Sequence, residues 1–199
     1  MHSNQALRAV LIGAVACAVS SPVAAKGLSY SYADVGYQRT ELDAPSDTID
    51  IDSALVDASF GVHEYVALRA GFRRGSIDIP GESTDLTEFR LGARGHYNVM
   101  KPLDLYGEAL YFNQKLNGSG EGISSKTEIG GIYEAGFRLQ AHKKAEIDLA
   151  YRYVSGDMDE SFIVAGGVLM LTKNIGVNVN AAFGDDDDEE YFAGLRLDF

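Results

Sequence analysis

The chain has one cysteine, Cys17, four histidines and no tryptophan among 199 residues. Cys17 lies in an amino-terminal stretch that reads as an export signal. Arg8 precedes the apolar run AVLIGAVACAVS, which leads through Ser20-Ser21-Pro22 to Val23-Ala24-Ala25. A positive start, an apolar middle and a small-residue site place cleavage after Ala25, and the run is too short to span a membrane. A lipid-anchored form would be cut before Cys17, but Ala14-Val15-Ala16 lacks the expected leucine. The mature chain then has no cysteine, which excludes disulfides, thiolate metal sites and a cysteine nucleophile. Basic charge is scarce as well. Lys and Arg number 17 against 29 Asp and Glu, a net charge of −12, and removal of residues 1–25 takes Arg8 and no acid, leaving −13. Nucleic-acid binding needs a basic footprint, so nucleic-acid partners are excluded. After residue 25 no stretch approaches 18 apolar residues, so no membrane helix is expected.

What is present is alternation. In VALRAGFRRG, Val66, Leu68, Ala70 and Phe72 share one face and Ala67, Arg69, Gly71 and Arg73 the other. In EFRLGARGHY, Phe89, Leu91, Ala93, Gly95 and Tyr97 alternate with Glu88, Arg90, Gly92, Arg94 and His96. A period of two is that of a strand, so the fold class is all-β. Ten strands are expected, over 28–39, 49–62, 65–77, 86–98, 103–115, 127–140, 145–155, 161–172, 174–184 and 189–199. Eight is the alternative count. The connections sort into two kinds. Those after strands 2, 4, 6 and 8 are short, whereas ELDAPSD, PGESTD, NGSGEGISS, SGDMDE and DDDDEE are mostly longer, and acidic or glycine-rich. Transmembrane barrels sort their connections this way, with short periplasmic turns and longer extracellular loops.

From residue 26 to 199 the chain resembles the small outer-membrane β-barrels of Gram-negative bacteria, OmpA/OmpX-like or small porin-like. The resemblance rests on the signal, the alternation, the sorted loops, the opening GLSYSYADVGYQ and the ending YFAGLRLDF. It implies a transmembrane, antiparallel, up-and-down barrel that works as a monomer in outer-membrane lipid and lipopolysaccharide. It also implies that Phe199 is the signal read by the barrel-assembly machinery. Ser31, Ala33, Val35 and Tyr37 would then face outward on the first strand. Tyr37, Tyr65, Tyr97, Tyr111, Tyr153, Tyr191 and Phe199 are the candidate interfacial girdle.

The polar beat points into the lumen, and turn placement pairs its charges: Arg94 opposite Glu108, Arg73 opposite Glu88, Arg138 opposite Glu146. Arg69, Arg90, Glu134 and Arg152 are further members of an interior charge network, with Asp34, Asp57, Asp148 and Arg196 as additional inward candidates. Facing opposite charges stabilise antiparallel neighbours. Such a network either packs the lumen or lines a narrow pore, and ten strands lie near the filled end of the range. The run FIVAGGVLMLTKN is apolar on both beats and could enter an interface with another chain.

Chemistry has little to work with. His2 leaves with the signal, His63 and His142 fall in short turns, and His96 lies inward near the turn end, so no histidine reaches the outer rim as acid–base group. The acidic run Asp185, Asp186, Asp187, Asp188, Glu189 and Glu190 offers oxygens to a weak divalent cation, but lacks the ligand spacing and glycine of an EF-hand loop. No cofactor is implied. The reading is a non-enzymatic barrel with a structural, adhesion or biofilm-related role in the envelope. A narrow porin-like channel for small solutes is second, and an outer-membrane hydrolase third.

Overall fold

The computed structural model describes residues 28–44, 47–79, 82–118, 125–157, 159–185 and 188–199; the expected signal segment lies outside them. The strands are β1 (Tyr32–Ala44), β2 (Asp47–His63), β3 (Val66–Ile79), β4 (Glu82–Met100), β5 (Leu103–Gly118), β6 (Lys126–His142), β7 (Ala145–Ser155), β8 (Glu160–Met170), β9 (Ile175–Gly184) and β10 (Glu189–Asp198). Each pairs antiparallel with its chain neighbours, and β1 pairs with β10 to close a ten-stranded barrel.

The stagger of the barrel follows from its registers. A ring of pairs leaves Tyr37 through Ala54, Arg74, Thr87 and Lys115 to Thr127 on β6. The ring taken the other way runs through Ala193, Val179, Gly167 and Ile147 to Leu139 on the same strand. The difference, 139 minus 127, is 12 residues, which corresponds to strands tilted by roughly 40°. Tyr133 lies midway between those two end points, so Tyr37 and Tyr133 stand at one height on opposite walls.

The two ends differ. At one, Glu64-Tyr65, Lys101-Pro102, Lys143-Lys144 and residues 171–174 make tight turns. At the other, much of the sequence expected as loop is strand: Glu41 to Ala44 and Asp47 of ELDAPSD extend the β1–β2 ladder, and Glu82 to Asp85 of PGESTD extend β3–β4. The physical reason is that strand above the membrane needs only its ladder and no apolar side chains. As a result β1 to β6 are 13 to 19 residues long, while β7 to β10 are 10 or 11. A tall wall and a low wall result.

The greasy side faces out. Leu68, Leu91, Ile163 and Leu195 are 51–58% exposed, whereas Val164, Arg69, Arg94 and Arg196 on the opposite beat are at most 8% exposed. An apolar surface this continuous is not left to water in a monomeric soluble protein. Lipid is the solvent that suits it, because the closed ladder leaves no strand edge unpaired in the hydrocarbon. Tyr37, Tyr111, Tyr133 and Tyr191 face outward, and Tyr65 and Tyr97 stack at 6.2 Å near the turn end. Ser31 does not face outward. It is buried, accepts the Phe199 N–H at 3.1 Å through its carbonyl, and precedes β1 rather than belonging to it.

Candidate functional site in the barrel interior

The lumen is crossed by one connected ion network. Arg69 bonds Asp57 at 2.5 Å and Glu108 at 2.6 Å. Glu108 also takes Arg94 Nε at 2.8 Å, and Arg94 Nη2 lies 3.5 Å from Glu134. Glu134 accepts from Tyr106 Oη at 2.8 Å and from Arg152 at 2.9 Å, and Arg152 reaches Glu190 at 2.9 Å. The chain Asp57–Arg69–Glu108–Arg94–Glu134–Arg152–Glu190 thereby joins seven strands. Low dielectric makes every such bond strong and every missing partner costly. Beside it, Arg196 grips Asp34 with two bonds of 2.9 and 2.7 Å, Asn178 donates to the same carboxylate at 3.0 Å, and the Arg196 guanidinium lies 3.8 Å over the Tyr32 ring.

The other interior candidates are placed as follows. Arg94 stands opposite Glu108 and Arg73 opposite Glu88 in the ladders. Arg73, however, donates to Ser53 Oγ at 2.8 Å and Thr40 Oγ1 at 2.9 Å, while Glu88 bonds Arg90 on its own strand. Arg138 stands opposite Asp148, not Glu146, because the tight turn is Lys143-Lys144, closed by His142↔Ala145, and the register shift between Leu139 and His142 takes back only one position. Its guanidinium still reaches Glu146 at 2.5 Å. The described members of the acidic run point apart. Glu190 points into the lumen, Glu189 accepts from the outward Tyr191 hydroxyl, and Asp186 and Asp187 lie outside the described residues. Among the described residues no three His, Cys, Asp or Glu side chains converge as metal ligands.

Charge covers only part of the lumen wall. The inward beat of β8 and β9 carries Phe162, Val164, Val168 and Ala182 with Asn178 and Asn180, and the first, second and fourth pack with Tyr106 and Ala150. The doubly apolar run is thus divided, with Ile163 and Leu169 outward and Phe162, Val164 and Val168 inward. A cavity of about 140 Å³ remains between the charged and apolar sides, lined among others by Asp34, Arg94, Glu134, Val164 and Asn180. It has room for water, whereas barrels with 16–18 strands leave an open channel. On the β1–β10 seam Gly36 faces Gly194, and the Phe192 ring lies over both. A Cβ at Gly194 would stand 2.6 Å from that ring.

The turn-end mouth is stoppered by the segment that precedes β1. Tyr30 stacks on His96 with centroids 3.5 Å apart and planes 8° apart, and its hydroxyl donates to Asp104 at 3.1 Å. The Arg138 guanidinium lies 4.7 Å over the same ring and donates to the Ser29 carbonyl at 3.0 Å. Ser59 Oγ donates to the Tyr30 carbonyl at 2.8 Å, and Leu28 packs with Ala67. The segment therefore reaches from β1 across to β4, β5 and β6. The expected first strand, 28–39, begins instead at Tyr32, because residues 28–31 turn into the mouth. The three described histidines all lie at this end. His63 Nδ1 accepts the Tyr65 N–H at 3.3 Å and His142 Nδ1 the Lys144 N–H at 3.4 Å, so both serve their own turns.

The chain matches the family described as outer membrane protein beta-barrel domain over residues 9–183. It belongs to that family. The turn end of this outer-membrane barrel is accordingly periplasmic, and the tall wall stands on the extracellular side. Similar folds include the translocator domain of the autotransporter NalP from Neisseria meningitidis (TM-score 0.55, 15% identity, 98% of each chain covered). Neisserial surface protein A (NspA) superposes with a TM-score of 0.52 at 16% identity, over 87% of this chain and 100% of that one. The KdgM porin, solved in complex with disordered oligogalacturonate, gives 0.50 at 13% identity over 83% and 99%. At such identities the likeness is one of fold. No curated protein sequence matches the chain.

Proposed function

We propose that the protein is a non-enzymatic, monomeric outer-membrane barrel with a closed lumen, and that its role in the envelope, structural or adhesive, is carried by its outer surface. One observation supports this above all. The same lumen is filled at mid-height by a continuous ion network and stoppered at its periplasmic mouth by Leu28, Ser29 and Tyr30. The placement of the histidines agrees with it, since His63 and His142 accept turn amides and His96 lies beneath Tyr30. In this reading the chain is exported with cleavage after Ala25, and Phe199 is the residue the assembly machinery reads.

The test uses the chain refolded in detergent and checked for heat-modifiable migration, then placed in planar bilayers. Silence is the expected result. Discrete conductance steps altered by Arg94→Ala or Glu108→Ala would overturn it in favour of a narrow channel lined by the ion network. Consumption of a lipid or peptide substrate by the folded barrel would overturn the non-enzymatic part.

A further inference from the structure

The extracellular half of the outer wall is not uniformly acidic. Arg39, which faces outward on β1, is neutralised by Glu41 and Asp50, each at 2.8 Å. Lys126 on the rim of the tall wall is paired with Asp157 at 2.8 Å. Two other cations differ. Arg74 on β3 and Lys115 on β5 are exposed, face outward, and have no ion-pair partner among the described residues. The ladders align both with Thr87 on the intervening β4, Arg74↔Thr87 and Thr87↔Lys115. Two interstrand spacings separate their backbones, about 10 Å. Long, flexible side chains on either side of a hydroxyl can close that distance on one tetrahedral anion.

What lies below this row gives the anion its carrier. Two residues nearer the membrane, Phe72 stands opposite Phe89, and Phe89 opposite Asn113. Phe89, Leu91 and Tyr111, at 47%, 53% and 48% exposure, continue an apolar track down the same strands. The outward acids nearby are Asp52, which accepts from Tyr37 Oη, and Asp85, one ladder step above Thr87. A free anion gains nothing from the apolar track. An amphiphile with phosphate uppermost and chains below uses both parts.

We infer that Arg74, Thr87 and Lys115 form a headgroup site for a phosphorylated lipid of the outer leaflet, with its acyl chains laid over Phe72, Phe89 and Leu91. The site lies on the outer wall and does not depend on whether the lumen conducts.

Refolded protein in phosphatidylcholine nanodiscs, doped with bisphosphorylated lipid A or with lipid A stripped of phosphate, tests it, with retained lipid read by native mass spectrometry. Near a membrane surface each cation contributes on the order of 1 kcal/mol of attraction to anionic headgroups, so the preference for the phosphorylated lipid should be roughly 30-fold with both cations. Arg74→Gln with Lys115→Gln should abolish that preference, either change alone should leave about 5-fold, and Arg39→Gln should leave it intact. Heat-modifiable migration checks that each variant is folded. An undiminished preference in the double variant, a wild-type barrel indifferent to phosphate, or loss of the preference to competing inorganic phosphate would each overturn the assignment.

Discussion

The tall wall, β1 to β6, and the low wall, β7 to β10, belong to one closed sheet but obey different demands. The low wall's strands, 10 or 11 residues long, have the length that a tilted crossing of hydrocarbon requires. The tall wall adds up to eight residues beyond that, as in the 19-residue β4, and its excess stands in water as paired strand. Inside the barrel the contrast recurs as chemistry. β2 to β7 supply six of the seven members of the ion chain, whereas β8 and β9 present Phe162, Val164, Val168 and Ala182. The lumen is therefore packed as an ordinary core along β8 and β9 and, across β2 to β7, as a salt lattice beside the apolar cluster of Leu110, Phe112 and Ile132, and the two kinds of packing should fail differently.

The largest effect is expected where the lattice is broken on one partner only. Glu134→Ala leaves Arg94 and Arg152 without a shared acceptor in a water-poor interior, at a cost of about 3–5 kcal/mol, read as a lowered urea midpoint in detergent. The matching change on the apolar side, Val164→Ala, removes two methyl groups and should cost about 1.5–2 kcal/mol. If the two losses proved equal, the division of the lumen into two kinds of packing would have no energetic meaning. Tyr30→Phe removes a single hydrogen bond to Asp104, which keeps Asn98 as a donor at 2.7 Å, so about 1 kcal/mol is expected. Arg39→Ala, on the water-exposed part of the tall wall, should leave the unfolding midpoint unchanged, because exposed ion pairs contribute little. A clear shift there would mean that the tall wall is more than an extension into solvent.

Strand number and most crossings are legible in the sequence because one physical rule governs them: outward residues meet lipid, so Val66, Leu68, Ala70 and Phe72, and Phe89, Leu91, Ala93 and Tyr97, fall on one beat of period two. Registers set by tight turns follow, as at Arg94 and Glu108. Three things escape this rule. Above the membrane the rule lapses, so ELDAPSD and PGESTD read as loops although most of each is strand. At the β6–β7 connection the turn sits at Lys143-Lys144, which with a one-position register shift leaves Arg138 opposite Asp148, and alternation alone does not reveal where a turn is centred. The stopper is carried by contacts from Tyr30 to His96, Asp104 and Arg138, residues 66 to 108 positions away along the chain. Nothing local encodes such a reach. Of the interior, the polar beat identifies which residues point inward but not whom they bind, as Arg73 and Glu190 illustrate.

The seam has a consequence for assembly. Asp34 near the start of the sheet and Arg196 near its end are 162 positions apart, yet they share two bonds and a third partner from β9. Until β10 is in place, β1 keeps an open flank of hydrogen-bonding groups and Asp34 lacks its counter-ion. Closing the seam meets both needs in one step, so this buried clasp rewards completion rather than progress.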